Sequence, residues 1–282
     1  AAIRRCWGHL WSGLRQLWWD KARATLAVLG VALAVLSVTL LAGVGTGVTE
    51  TGNELFNEAD RDLWVTGGPI ELAPGSVGGF QNPVPQSHDL AASIEQHEAV
   101  HTAVPLAFQV VYVSTDGEEF DTIMGSGTPG AGGSVAISEG DGFTGPNTHY
   151  ADGAYNGSFT HQVIISPELA EQQDLAVGDT LYVGGTIASA RANEFEVVGI
   201  SPTFSNFLGT ATVTLRLSEL QTLTGNAYDD SATLITISTV DGADRDAVRA
   251  ELQAAYPEYT FRTNQEQFVD LLQQQAVILA AG

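Results

Sequence analysis

The clearest pattern in the chain is a long apolar stretch, residues 24–48, that contains no charged side chain. About 20 consecutive apolar residues let a helix cross the hydrocarbon core of a bilayer with all its backbone hydrogen bonds made internally. The stretch is longer than the apolar region of a cleaved signal peptide. We therefore predict a retained transmembrane helix over 24–48.

A helical pattern also precedes this stretch. Over residues 3–18, Ile, Leu and Trp recur at spacings of three and four, and the arginines fall mostly between them. A basic amphipathic helix rich in Trp is suited to lie in a membrane interface. We predict that residues 1–23 form such a helix on the cytoplasmic side.

Beyond residue 49 the pattern changes to short alternating segments and short amphipathic helices, which predicts an α+β fold. The predicted strands are 62–66, 104–114, 118–124, 161–166, 180–183, 194–200, 213–217, 232–238 and 259–262. The predicted helices are 87–98, 166–173, 218–223, 244–255 and 266–275, and residues 125–158 are predicted to be irregular.

These elements predict an order of domains. A stalk over 49–61 leads to an extracytoplasmic α+β domain over 62–263, of which about 125–200 is an inserted subdomain. Residues 264–282 form a return stalk that runs into the start of a second apolar segment. Seven apolar residues are too few for a span, so we expect the sequence to be a fragment whose second transmembrane helix is truncated.

Charge divides the chain at the apolar stretch. Five basic residues and one acidic residue precede it, whereas six basic and 32 acidic residues follow it. Basic residues favour the cytoplasmic side, so the N-terminus is predicted to be cytoplasmic and the acidic domain extracytoplasmic. An acidic domain lacks the basic face that nucleic acid requires. One lysine against 33 acidic residues resembles the composition of salt-adapted archaeal proteins, in which salt screens the repulsion.

Two motifs could carry chemistry. The segment from His97 through Glu98 to His101 matches H-E-x-x-H, which on a helix would place two imidazoles for zinc and a glutamate base. The strand-like residues that follow, and the lack of a clear third ligand, argue against this site. Residues 125–130 match G-x-G-x-x-G, but no helix-forming sequence follows. The only lysine, Lys21, is followed by alanine, so a phosphate-binding P-loop is excluded.

The order of elements resembles the FtsX-like and MacB-type permeases of ABC transporters. Residues 21–31 are similar to the start of their first membrane span, and Asp62–Val65 is similar to the strand that opens their outer domain. The densest match comprises three segments in order: a strand with the start of a helix, a turn with a strand, and a further strand. These segments are Val163–Ala170, Leu175–Leu181 and Phe195–Ile200.

The resemblance implies an α+β domain of the MacB periplasmic-core type in a multi-pass cell-membrane permease. It implies a cytoplasmic ABC ATPase as partner, a homodimer or heterodimer of permeases, and contact with membrane lipid. It implies no catalytic, cofactor-binding or metal-binding residue, and the cargo stays unknown. Two alternatives stay open: a membrane-tethered surface module that binds a partner without transport, and a membrane-anchored zinc protease built on His97, Glu98 and His101.

Overall fold

The computed structural model describes residues 61–68, 82–130, 135–263 and Glu266. The predicted amphipathic helix over 1–23, transmembrane helix over 24–48, most of the stalk over 49–61 and nearly all of the return segment over 264–282 lie outside these residues. All of the described residues belong to one unit, Leu55–Gly282. In this part of the chain, no helix is long and apolar enough to cross a membrane.

Ten strands and six helices occur in the described residues. The strands are β1 Leu63–Thr66, β2 Val100–Ser114, β3 Asp121–Thr128, β4 Glu139–Gly140, β5 Gln162–Ile165, β6 Thr180–Gly184, β7 Glu194–Ile200, β8 Thr212–Arg216, β9 Leu234–Thr239 and β10 Thr260–Thr263. The helices are α1 Ser87–Ile94, α2 Pro167–Gln173, α3 Ile187–Ala192, α4 Thr203–Leu208, α5 Leu217–Thr224 and α6 Arg245–Ala255. This mixture confirms the predicted α+β class.

Four strands and two helices form a split βαβ half. The chain order β1-α1-β2-β9-α6-β10 and the sheet order β10-β1-β9-β2 are those of the ferredoxin-like arrangement. One face of this sheet packs on α1 and α6 through a core that includes Leu63, Ile94, Ile237 and Leu252. In α6, Val248 and Leu252 lie four residues apart, so both face the sheet.

The segment between the first part of β2 and β9, residues 107–233, forms a barrel half. The pairings β2-β3, β3-β8, β8-β5, β5-β7, β7-β6 and β6-β2 return to the starting strand and close a six-stranded ring. Closure removes free edges from these strands. Apolar side chains such as Val111, Leu181, Val197 and Leu215 fill a core that α2 and α5 also contact. The 125–200 boundaries predicted for an inserted subdomain stay a prediction.

Strand β2 belongs to both halves. Its first residues, Val100–Leu106, pair with β9 of the split βαβ half. Its later residues pair with β3 over Ala107–Val113 and with β6 over Tyr112–Ser114. A continuous 15-residue strand therefore joins the two halves.

Three predicted elements differ from the observed ones by three or more residues at one end, and one of them is β2, which begins at Val100 and not at residue 104. The helix predicted over 87–98 ends at Ile94, and residues 95–99 form turns, because the chain must reverse before β2 begins at Val100. The strand predicted over 118–124 instead runs from Asp121 to Thr128. Its glycines, which indicated a loop, lie where a side chain would collide: a Cβ on Gly127 would be 2.9 Å from the Leu220 side chain.

Gly184 provides a test of the packing between β6 and α3. A Cβ at this position would lie 2.2 Å from the backbone nitrogen of Ala190, which cannot retreat without moving the helix. We expect Gly184→Ala to cost about 1–3 kcal/mol of stability and to lower the Tm of the full chain by roughly 2–10 °C. The measurement is thermal unfolding followed by circular dichroism.

Thr180→Ala, at the exposed start of the same strand, is the matched control. We expect it to leave the Tm within about 2 °C of the wild type, since exposed substitutions rarely change stability much. Equal Tm values for the two variants would contradict the close approach of β6 and α3.

Candidate functional site

The two ends of the described domain lie side by side. Strand β1, which follows the predicted first stalk, pairs antiparallel with β10, which precedes the predicted return stalk. In this register Leu63 is opposite Thr263, so the first residue of one strand adjoins the last residue of the other. We call the group Arg61, Asp62, Thr239, Arg245, Thr263 and Glu266 the stalk junction, and it is the candidate functional site.

Asp62 fixes the first of these ends. One carboxylate oxygen, Oδ2, accepts hydrogen bonds from the backbone N–H and the hydroxyl of Thr239 at 2.8 and 2.6 Å. The other, Oδ1, lies 2.7 Å from Nη2 of Arg245. The Asp62 side chain is 11% exposed, whereas that of Arg245 is 58% exposed. Three groups on β9 and α6 thus hold the residue at which the chain enters the domain.

Glu266 fixes the second end. Its Oε2 accepts a hydrogen bond from the N–H of Thr263 at 3.0 Å, and its own N–H donates to Oγ1 of Thr263 at 3.3 Å. This reciprocal arrangement is a capping box, which begins a helix. The helix predicted from residue 266 lies otherwise outside the described residues and stays a prediction. Arg249 of α6 adds a contact, with Nε 3.9 Å from Glu266 Oε2.

The strand that leaves the junction also contacts the barrel half. Trp64 is 1% exposed, and its ring stacks on Phe207 of α4 with 5.8 Å between centroids. The Arg61 guanidinium lies 5.9 Å from the ring centroid of Phe204, also on α4. Each such aromatic contact contributes about 0.5–1.5 kcal/mol beyond its buried area. A displacement of β1 would therefore act on α4 directly.

A polar cluster links the two halves at a second place. Asp230 accepts hydrogen bonds from the N–H of His88 at 2.8 Å, from Gln221 Nε2 at 3.2 Å and from the Tyr155 hydroxyl. His88 Nδ1 lies 2.7 Å from Asp230 Oδ1, and the His88 ring stacks on Tyr150. His88 is on α1, whereas Tyr155 and Gln221 belong to the barrel half.

Electrostatics in this cluster favour a charged Asp230. Burial raises the pKa of Asp230, but the hydrogen bonds from His88 and Tyr155 outweigh burial and hold it below its ordinary value. Burial first, and the hydrogen bond to Asp230 second, raise the pKa of Tyr155. The Tyr155 hydroxyl therefore stays protonated and donates to the carboxylate.

The H-E-x-x-H segment does not form a zinc site of the predicted kind. Helix α1 ends before it, His97 and Glu98 lie in turns, and His101 lies on strand β2. His97 Nε2 lies 3.0 Å from Glu251 Oε2, and its Nδ1 accepts a hydrogen bond from the N–H of Ala99. Without a helix, the two imidazoles are not one turn apart on a common face. This removes the structural basis of the zinc-protease alternative.

The G-x-G-x-x-G segment is also not a nucleotide site. Residues 125–128 continue strand β3, and no helix begins in the described residues directly after it. A dinucleotide fingerprint requires the glycines to lead into a helix whose N–H groups meet the pyrophosphate. Here Gly125 and Gly127 serve the packing of β3 against Val111 and Leu220.

The stalk junction was not identified from sequence as a site. The sequence predicts a strand that begins at Asp62 and a helix over 244–255 that includes Arg245, but it does not predict that the two residues meet. The available signal is the position of Asp62, a carboxylate directly before a short, mostly apolar strand in a chain with few basic partners. Its pairing with Thr239, 177 residues away, has no local signature.

This architecture is that of a known family of extracytoplasmic domains. A family model described as MacB-like periplasmic core domain matches residues 24–255, which is most of the chain. The chain therefore belongs to the MacB-like periplasmic core domain family.

Two solved structures are similar to this chain. The extracellular domain of the ABC-type transporter YknZ from Gram-positive bacteria is 15% identical, with a TM-score of 0.48, over 72% of this chain and 98% of that one. The periplasmic region of MacB from Actinobacillus actinomycetemcomitans is 10% identical, with a TM-score of 0.49, over 77% of this chain and 92% of that one. No curated protein sequence is significantly similar to this chain.

We expect Asp62 and Arg245 to contribute different amounts to the free energy of unfolding. Asp62→Ala leaves the half-buried N–H of Thr239 without its acceptor, so we expect a loss of about 1–3 kcal/mol. Arg245→Ala removes only an exposed partner, and we expect a loss of less than about 1 kcal/mol. Chemical denaturation of the full chain in detergent measures both values.

Asp62→Asn is the companion variant, since an amide oxygen can still accept from Thr239. We expect it to recover much of the stability that Asp62→Ala loses. If Arg245→Ala were as destabilising as Asp62→Ala, the exposed ion pair and not the buried hydrogen bonds would hold the junction.

Proposed function

We propose that this chain is part of a permease subunit of an ABC transporter, of the exporter or mechanotransmission type. A cytoplasmic ATPase subunit would bind and hydrolyse ATP, and the membrane helices would pass the resulting movement to the outer domain. Membership of the MacB-like periplasmic core domain family supports this proposal. So do the titles of the similar structures, which name transporter proteins.

The observation that carries the proposal is the antiparallel pairing of β1 with β10. Two tethers that attach at one place act on the domain together. The junction provides such a place, because Asp62 and Glu266 each bind the strand and helix next to them. From there Trp64 packs against α4, and β2 offers a continuous strand into the barrel.

The arrangement in the membrane follows from the charge pattern. The N-terminus would lie in the cytoplasm, residues 24–48 would span the membrane and the acidic domain would lie outside the cell membrane. The partners would be an ABC ATPase, a second permease copy or a related permease, and membrane lipid. We propose no catalytic residue and no nucleic-acid contact, and the acidic composition fits an origin in a halophilic archaeon.

The native cysteine allows a direct test of this topology. Cys6 is the only cysteine in the chain, and we expect a membrane-impermeant maleimide to label it only after the cells are lysed. The Cys6→Ser, Glu258→Cys variant carries its thiol at an exposed outer position and should be labelled on intact cells. Labelling of Cys6 on intact cells, with Glu258→Cys protected, would reverse the proposed orientation.

Nucleotide-driven movement is the test of the function itself. In the Cys6→Ser background, a spin label at Glu118→Cys marks the exposed turn between β2 and β3, at the end of the barrel half. We expect the distance between labels on the two permease copies to change when ATP and vanadate are added to the complex with its ATPase. Double electron–electron resonance measures that distance, and Glu258→Cys gives a second position on the split βαβ half.

The stalk-junction variants supply the control. Asp62→Ala should reduce the movement without abolishing ATP hydrolysis, whereas Arg245→Ala should leave it close to the wild type. A complex that hydrolyses ATP but shows no change in distance at either label would contradict the proposal. It would favour the alternative of a tethered surface module that binds a partner and moves nothing.

A further inference from the structure

A cavity of about 410 Å³ opens where strands β3 and β8 end together. The two strands are parallel and Thr128 is opposite Arg216, so both residues reach the cavity. The turn after β3, the loop around Asn147 and the start of β2 form the remaining walls. The cavity is thus bordered by both halves of the domain.

Arg216 is the positive group of this cavity. Its side chain is among the largest that are fully buried, at 1% exposure. Nη2 donates to the carbonyl oxygens of Thr144 and Gly145 at 3.0 and 2.9 Å, and the guanidinium lies 5.2 Å from the ring centroid of Phe143. Nη1 faces Gly130, where a Cβ would lie 2.8 Å from it. A side chain at 130 would therefore collide with the guanidinium, which faces the turn.

The hydrogen bonds of Arg216 are incomplete. Its Nε is buried and has no hydrogen-bond partner, and an unpartnered buried donor is costly. Burial lowers the pKa of Arg216, and Glu219 raises it electrostatically. Glu219 Oε1, however, accepts from the backbone N–H of Thr160, and its Oε2 is buried without a hydrogen-bond partner, so neither oxygen contacts Arg216 directly. An arginine remains cationic under these conditions.

The other residues that line the cavity indicate which groups a ligand of Arg216 would carry. Val104, Pro129 and Pro146 give an apolar side, and the Asn147 side chain gives a polar one. Asn147 Oδ1 already accepts from the Ser218 hydroxyl, so its amide group has N–H donors to offer. Two sets of donors beside an apolar wall suit a planar acceptor that carries a small apolar body. The volume exceeds what a single inorganic anion requires.

We propose that this cavity binds a small organic carboxylate, held by Arg216 and Asn147, with its apolar body against the two prolines. Guanidinium groups match carboxylates in geometry, and the hydrogen bonds between them are charge-assisted. The carboxylate belongs either to a free organic acid or to the C-terminus of a peptide, because both present the same group. Glu95 at the exposed side of the cavity opposes an anion, which keeps the expected affinity modest.

The test compares ligands that differ only in charge. Isovalerate and N-acetyl-alanyl-valine are titrated into the full chain without nucleotide, with isovaleramide and the peptide amide as controls. Ligand-observed NMR measures binding, and we expect the acids to bind at least about tenfold more tightly than the amides, as for a charge-assisted pair. Tighter binding of the peptide acid than of isovalerate would identify a peptide C-terminus as the source.

Two variants test the site, one by removing its positive charge and the other by removing a nearby negative charge. Arg216→Gln should remove the preference for acids over amides. Glu95→Gln keeps an oxygen for the N–H of Ala103, which Glu95 Oε1 accepts at 2.9 Å, but removes the negative charge. We expect it to strengthen carboxylate binding by about two- to fivefold, since nearby exposed charges interact weakly in water.

The gain in Glu95→Gln cannot result from unfolding, so the proposal remains testable if Arg216→Gln fails to fold. Equal binding of acids and amides to the wild type would overturn the proposal, and so would unchanged affinity in Glu95→Gln. The measurement requires neither ATP nor the ATPase. A failure here would therefore leave the permease proposal untouched, and a failure of that proposal would leave this one standing.

Discussion

The hydrogen-bonded continuity of β2 is the constraint on which the two halves of this domain depend. Residues Val100–Leu106 complete the sheet of the split βαβ half, and residues Ala107–Ser114 help to close the barrel. Because β2 pairs with β9 over its first part and with β3 or β6 over its second part, bending it would break ladder hydrogen bonds. The barrel is therefore oriented by the sheet that carries the stalk junction, and Trp64 and Asp230 add side-chain contacts between the two halves.

The contacts between the halves differ in kind, which matters for a domain proposed to transmit movement. The Trp64–Phe207 contact is apolar and tolerates small sliding, since dispersion changes gradually with distance. The Asp230 cluster is directional, because hydrogen bonds weaken steeply when their angle changes. A force applied at β1 would then be transmitted to α4 by side-chain packing. The hydrogen bonds of the Asp230 cluster would keep the position of α1 fixed relative to the barrel half.

Sequence reasoning succeeded where the cause is local. Ser166 caps α2 by accepting from the N–H of Leu169, and Asp244 caps α6, and both helix starts were predicted because a cap is readable within four residues. Helices α3 and α4 were missed because six residues show no period. The β1–β10 pairing joins Leu63 to Thr263, which are 200 residues apart in the sequence. It depends on the whole sheet, so no short stretch of sequence predicts it. Arg216 lies within the strand predicted over 213–217, and only the fold reveals its cavity.

Because the domain has few basic residues, the positions of its arginines are informative. The outer part holds six arginines among 32 acidic residues, so a cation on the surface would find many partners and contribute little. Yet Arg216 and Arg61 are buried, and Arg245 and Arg249 each contact a carboxylate of the stalk junction. In this acidic domain most of these cations therefore connect separate segments of the chain. Arg216 departs from this pattern, because its guanidinium meets carbonyl oxygens and a cavity instead of a carboxylate of the chain.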